Sequence, residues 1–187
     1  MSSKDRLPPI DPSQWTAEQA TEAQAIINGP RGALIAPFVP LLHSPELMGH
    51  AQRMGEYLRY RSALALRLSE LAILVTARQW AQTVEWAIHA PIALKAGVAA
   101  DTIDAIARGV RPADMPADEA LVHDFSVELH QHRRVSDATW QRALDLLGEK
   151  ATVDLVGING YYTLLAMVMN VAQTPEPPGA SAPFHRL

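Results

Sequence analysis

An acidic and a basic side chain lie one helical turn apart in the segment QTVEWAIHAPIALKAG, residues 82–97. They are Glu85 and His89, and most of the surrounding residues are apolar. Residues four apart share one face of a helix, so the two side chains are neighbours. A carboxylate and an imidazole buried together have shifted pKa values, which are typical of groups that transfer protons. Pro91 frees the Ala87 carbonyl and favours a bend beside His89, which can open a cavity.

A second carboxylate, Glu70, lies on the apolar face of the preceding helical pattern. Glu70, Glu85 and His89 are thus all predicted to point into a dry interior, where an unpaired charge is costly. A single carboxylate–histidine pair is more often a structural lock between helices. Three converging groups favour acid–base catalysis instead. They could also be three ligands of a metal ion, but we expect no metal.

The composition excludes several classes of function. The 187 residues suffice for one domain with a full hydrophobic core. The chain contains no cysteine, which excludes disulfides, thiolate metal sites and thiol catalysis. The net charge is −4 and the basic residues are scattered, so no nucleic-acid partner is expected.

The terminal and apolar segments predict a cytoplasmic protein. The N-terminus is polar and rich in proline and has no apolar core of the signal-peptide type. Residues 153–170 resemble a membrane span in length but contain Asp154, Asn159 and Asn170. Because a charge within a bilayer is expensive, we predict a buried helix and no membrane association.

Helical periodicity extends over nearly the whole chain, and no strand alternation is found, so the predicted fold is an all-α bundle of about seven helices. The pattern between residues 66 and 95 breaks near 79–82. The chain is interpreted as a single domain, 1–187, with an N-terminal arm at 1–14 and a C-terminal tail at 174–187. The predicted helices span about 16–28, 44–61, 66–95, 100–108, 117–132, 136–148 and 151–172.

Several helix starts carry capping signals. Thr16 with Gln19 fits a capping box, Ser44 precedes a proline at the first helical position, and Ser136 precedes another helix. The proline-rich segment 36–47 is predicted to be a loop, which could line a pocket or only cover the edge of the core.

Other ionisable residues are weaker candidates. His123, His130 and His132 lie on one predicted helix among charged residues, which favours a solvated face over a metal site. Arg59 and Arg61 are interpreted as surface charges. They could nevertheless bind an anionic substrate, as could Arg31.

The segment RLSELAILVTARQWAQTVEWAIHAPIALKAGVAADTIDAIARG, residues 67–109, resembles the carboxymuconolactone decarboxylase and alkylhydroperoxidase D-like superfamily. In the peroxidase branch, an acidic residue on one helix precedes a Cys-x-x-Cys-x-x-x-His motif on the next. The acidic residue falls at Glu70, the two cysteines at Gln82 and Glu85, and the histidine at His89. Without cysteine, thiol peroxidase activity is excluded, and the resemblance points to the decarboxylase branch.

The resemblance implies a helical protomer that assembles into homotrimers or homohexamers. It also implies a cofactor-independent enzyme that acts on a small cyclic carboxylic acid or lactone of aromatic catabolism. We assign His89 as the proton donor, Glu85 as its acid–base partner and Glu70 as the group that orients the imidazole. The predicted substrate-binding residues are Arg31, Gln82, Trp86 and His43. An isomerase, a lactone hydrolase and a non-enzymatic ligand-binding protein remain alternatives.

Overall fold

A computed structural model describes residues 5–179 and 182–185 of the chain. Within them, the predicted all-α fold is confirmed, because every regular element is a helix. A short 3₁₀ turn at Pro12–Gln14 precedes the first α-helix. The α-helices of the described residues are α1 (Ala17–Ile27), α2 (Phe38–Leu41), α3 (Pro45–Tyr60), α4 (Leu66–Gln79), α5 (Thr83–Lys95), α6 (Ala100–Ala107), α7 (Ala117–His132) and α8 (Asp137–Ala172).

The predicted break between α4 and α5 is confirmed and has a local cause. Ala81 has a φ of 46°, a left-handed conformation that a continuous helix cannot contain. The Gln82 side chain then accepts a hydrogen bond from the Val84 backbone N–H at 2.8 Å and begins α5. The two helices are therefore separate and can pack side by side.

The three helix starts predicted from capping residues are confirmed in position. Thr16 and Gln19 form the reciprocal capping box of α1, and the Ser136 hydroxyl accepts a hydrogen bond from the Thr139 N–H. Ser44 occupies the N-cap position of α3, but its side chain makes no capping hydrogen bond.

One predicted boundary needs correction. The predicted loop at 36–47 contains the single helical turn α2 and the start of α3. The predicted division between helices at 136–148 and 151–172 is confirmed by a break within α8, where Gly148 has a non-helical φ of 77° and ψ of 169°. A glycine adopts this conformation without a Cβ clash.

Helix α4 lies at the centre of the fold and packs against α5, α6, α7 and α8. Ten consecutive residues of α4, Leu68 to Ala77, are buried, so neighbours must cover it on all sides. Arg67 at its start forms ion pairs with Asp118 and Glu119 on α7. This central position allows α4 to present side chains to more than one site.

The described parts of the arm and the tail pack on the same chain. The Arg6 backbone N–H donates to the Ala172 carbonyl at 2.8 Å, and the Phe184 ring packs edge-on against Trp86 at 5.2 Å between centroids. Residues 1–4 of the predicted arm, and 180–181 and 186–187 of the predicted tail, lie outside the described residues.

Among the described residues, α8 alone has the length and composition of a membrane span. Its most apolar 18-residue window has a mean hydropathy of 1.4, and half of that window is buried within the fold. A core helix has the same properties.

Candidate active site

The His89 imidazole lies between two buried carboxylates. Its Nδ1 is 2.6 Å from Glu70 Oε2, and its Nε2 is 3.4 Å from Glu85 Oε2. All three side chains are buried, since none of the residues exposes more than 3% of its surface. The structure therefore brings the three predicted catalytic residues together, with α4 contributing Glu70 and α5 contributing Glu85 and His89.

This environment favours the cationic form of His89. Burial lowers the pKa of His89, but the hydrogen bonds and negative charges of Glu70 and Glu85 more than reverse that effect. Together they raise the pKa of His89 from 6.5 to about 9. An imidazolium can donate a proton from either nitrogen, so the group has the form of a general acid.

A small cavity adjoins this group. Its volume is about 20 Å³, which is the space of roughly one water molecule. Helices α3, α5 and α8 and the segment from residue 31 to α2 surround it. The lining residues are Arg31, Ile35, Pro37, Phe38, Arg59, Glu85, Ile88, His89, Tyr161, Tyr162 and Leu165.

Two arginines reach the cavity. The Arg31 guanidinium lies over the Phe38 ring, 4.9 Å from its centroid, and its buried Nη1 has no hydrogen-bond partner among the described residues. Arg59, near the end of α3, lines the same cavity. The predicted position of Arg31 at the site therefore agrees with the structure, and Arg59, interpreted as a surface charge that could bind an anion, is half-exposed and lines the cavity.

Buried polar atoms without partners surround the cavity. In the described residues, Glu85 Oε1, the Tyr161 hydroxyl and Arg31 Nη1 are all buried and make no hydrogen bond. An unsatisfied buried polar atom is costly and calls for a physical reason. A polar ligand in the cavity would supply the missing donors and acceptors.

Two tyrosines of α8 complete the wall beside His89. The Tyr162 ring packs edge-on against the imidazole at 5.1 Å, and the Tyr161 ring packs edge-on against Tyr162 at 5.3 Å. Burial raises the pKa of both hydroxyls, so both stay neutral near pH 7. The aromatic wall keeps the imidazole out of water.

Three other predicted substrate-binding residues do not line this cavity. Gln82 caps α5, and its Nε2 donates to Asn170 Oδ1 at 2.7 Å. Trp86 is buried against Phe184. His43 is exposed, with its Nε2 3.3 Å from the Pro8 carbonyl oxygen. The structure therefore gives Gln82 and Trp86 structural contacts and leaves His43 outside the site.

Sequence reasoning missed Tyr161 and Tyr162 and assigned Arg59 to the surface. A signal was present in GYYTLL, because two hydroxyls in the most apolar stretch of the chain need a reason to be buried. The interpretation of the α7 histidines as a solvated face is also wrong for two of the three. His123 is buried, and His130 Nε2 is 3.0 Å from Thr76 Oγ1, while His132 is exposed.

The carboxylates and the imidazole of this site contact each other rather than a common point. In the part of the chain that the structure describes, no group of three His, Cys, Asp or Glu side chains is arranged to hold a metal ion. The absence of a metal from the function remains a prediction.

Comparison with known families finds a match over part of the chain. The model of the carboxymuconolactone decarboxylase family matches residues 45–123. The matched region is similar to that family. It extends from α3 into α7 and includes Arg59, Glu70, Glu85 and His89. No curated protein matches the chain.

The family region and the cavity do not have the same extent. Arg31 precedes the matched residues, and Tyr161 and Tyr162 follow them. The acid–base group thus lies within the matched region, while one arginine and the aromatic wall lie outside it. Features that distinguish one ligand from another can reside in those added residues.

Proposed function

We propose that the protein is a cofactor-independent decarboxylase that acts on a small cyclic carboxylic acid or lactone by acid–base proton transfer. One observation carries this proposal: a buried imidazole between two carboxylates adjoins a cavity that two arginines also reach. The match of residues 45–123 to the carboxymuconolactone decarboxylase family supports it.

The reaction needs a group that accepts electrons and a group that gives a proton. When the bond to the carboxylate breaks, CO₂ leaves, and the bonding electron pair moves into the conjugated carbonyl to form a dienolate. The His89 imidazolium then protonates that anion and becomes neutral. A positive charge held in a site without bulk water stabilises the developing anion as well.

The two glutamates have different roles in this scheme. Glu70 accepts a hydrogen bond from Nδ1 and fixes the orientation of the imidazole. Glu85 lies at the cavity beside Nε2, where it can exchange a proton with His89 after each turnover. Both carboxylates keep the donor charged at neutral pH.

Arg31 and Arg59 supply the binding of an anionic substrate. A guanidinium pairs well with a carboxylate, and the unpartnered Nη1 of Arg31 is available for this contact. A cavity of about 20 Å³ is too small for a ring. The segment that carries Arg31 and Ile35 between α1 and α2 must therefore move outward when substrate enters.

The proposal is tested with a panel of unsaturated cyclic acids that includes a carboxymuconolactone. We expect release of CO₂ and a turnover that falls as the pH rises above about 9, since the donor then loses its proton. Glu85→Gln or His89→Gln should each lower turnover about a hundredfold or more, and the double variant should lose much less than the product of both effects. Arg59→Gln should mainly raise KM.

Glu149→Gln is the matched control. It makes the same change of charge as Glu85→Gln, and Glu149 is exposed on α8. It should keep full turnover. If Glu85→Gln and His89→Gln both keep full turnover on a substrate of the wild type but melt at lower temperature, the buried group is structural. Conversion without CO₂ release would indicate an isomerase or a lactone hydrolase, and a ligand recovered unchanged would indicate a binding protein.

A further inference from the structure

A second and larger cavity lies on another side of α4. Its volume is about 330 Å³, within the range of small-molecule sites, and it shares no lining residue with the first cavity. Residues of α4, α6, α7 and α8 and of the turn after α6 line it. Val75, Ile106, Val110 and Val127 provide an apolar part of the wall.

Arg78, near the end of α4, is held in this cavity without a carboxylate partner among the described residues. Its Nε donates to the Ala107 carbonyl at 2.9 Å, and its guanidinium lies 5.2 Å from the centroid of the Phe184 ring. Gly109 has a φ of 71°, and a Cβ there would lie 3.2 Å from Arg78 Nη2. The absence of a side chain at Gly109 therefore leaves room for the Arg78 guanidinium. The contacts with Ala107 and Phe184 hold that guanidinium in one orientation.

Two further arginines of the cavity share one carboxylate. Arg111 donates to both oxygens of Asp124, at 2.8 and 3.0 Å. Arg142 Nη1 lies 3.6 Å from the same carboxylate, and His123 Nδ1 lies 3.2 Å from it. Asp124 is therefore saturated by its neighbours and does not neutralise Arg78.

The lining as a whole carries an excess of positive charge. Besides the three arginines it contains two carboxylates, Asp124 and Glu128. Glu128 is engaged at the start of α8, where it accepts hydrogen bonds from the Ser136 backbone N–H and the Thr139 hydroxyl. The three arginines and two carboxylates that line the cavity therefore have a net charge of +1, next to the apolar part of the wall.

We propose that this second cavity binds a small organic monoanion, a carboxylate on an apolar ring. The carboxylate pairs with the Nη atoms of Arg78, and the ring packs against Val75, Ile106 and Val110. A planar guanidinium and a carboxylate match in geometry, which favours this anion over a neutral molecule. A multiply charged inorganic anion would not use the apolar wall. The inference rests on this cavity alone and does not require the proposed decarboxylase activity.

Benzoate is the probe, and the isoleucine δ1-methyl groups report by NMR on the two cavities separately. Ile106 lines the second cavity, whereas Ile35 and Ile88 line the first. We expect benzoate to shift Ile106 in a saturable one-to-one titration. Benzamide, a neutral molecule of the same shape, should bind at least tenfold more weakly to the wild-type protein.

Variants then identify the positive charge that binds benzoate. Arg78→Gln should weaken the Ile106 titration at least tenfold. Arg31→Gln should leave it unchanged, and so should Arg108→Gln, which removes a positive charge from an exposed residue of the same region. The proposal is overturned if Ile106 does not respond to benzoate, if benzamide binds equally well, or if Arg108→Gln weakens binding as much as Arg78→Gln. The benzamide comparison decides the matter even if Arg78→Gln fails to fold.

Discussion

At the scale of single residues, the charge of His89 decides what the site can do. A buried imidazole alone would be neutral, because burial disfavours the cation. Contacts with two carboxylates reverse this effect and favour the cation. When Glu70, Glu85 and His89 are all ionised, their net charge is −1. Arg31 and Arg59 at the same cavity offset that charge and leave the site able to accept an anion.

The raised pKa of His89 predicts a pH dependence of stability. The folded-state value of about 9 exceeds the ordinary 6.5, so the stabilisation is fully present below pH 6.5 and is lost as the pH rises through 9. The loss is on the order of 3 kcal/mol. Urea unfolding at several pH values between 6 and 10 measures it. His89→Gln should lack this step, and an equal decline in both proteins would refute the assignment.

At the scale of helices, the approach of α3 to α8 sets the position of the aromatic wall. Gly55 of α3 faces Tyr161 so closely that a Cβ would lie 2.1 Å from the hydroxyl oxygen. The Tyr161 ring is buried against Tyr162 and has little freedom to move. A larger residue at 55 must therefore displace the wall beside His89.

Gly55→Ala should destabilise the protein by about 2 kcal/mol, because overpacking at a helix crossing forces the ring or the backbone to shift. Thermal unfolding measures the effect. Met54→Ala is the control: it changes an exposed neighbour on the same helix and should alter stability by less than about 0.5 kcal/mol. A Gly55→Ala protein as stable as the wild type would show that α3 and α8 do not pack this closely.

The helices were predictable from the sequence where local signals fix them. The box of Thr16 and Gln19, the cap at Ser136 and the break before Gln82 depend on near neighbours along the chain. The contact of Glu70 with His89 could also be predicted from the sequence, since helical periodicity placed both residues on apolar faces. Whether Ser44 caps its helix depends on side-chain orientation, which residue type does not determine.

Long-range packing explains what could not be predicted. Arg59 follows Leu58 in a helix that otherwise has a mixed surface, and only the approach of α5 and α8 places it at the cavity. Trp86 adjoins Glu85 in sequence, yet it faces Phe184 of the tail.

At the scale of the whole molecule, α8 leaves an apolar stripe uncovered. Val153, Val156, Met167 and Val171 are all exposed, and Gly160 lies between them on the same face. A continuous apolar face of this kind favours self-association. We therefore expect a homo-oligomer, a trimer or a hexamer as the family resemblance implies.

Light scattering at micromolar concentration tests this expectation. The wild type should have a mass of three or six times 20.4 kDa. Val156→Glu should shift the population toward the monomer, because it buries a charge at the contact. Glu149→Gln should leave the mass unchanged. A wild-type mass near that of one chain would contradict the expectation.

The charge on His89 is the claim on which the account depends most directly, and nitrogen-15 NMR of the histidine side chains measures it. The chain has seven histidines, and the signals absent from His89→Gln identify those of His89. We expect both ring nitrogens of His89 to be protonated at pH 7.5, with a titration midpoint near 9. A neutral imidazole at pH 7.5, with a midpoint below 7, would contradict the account.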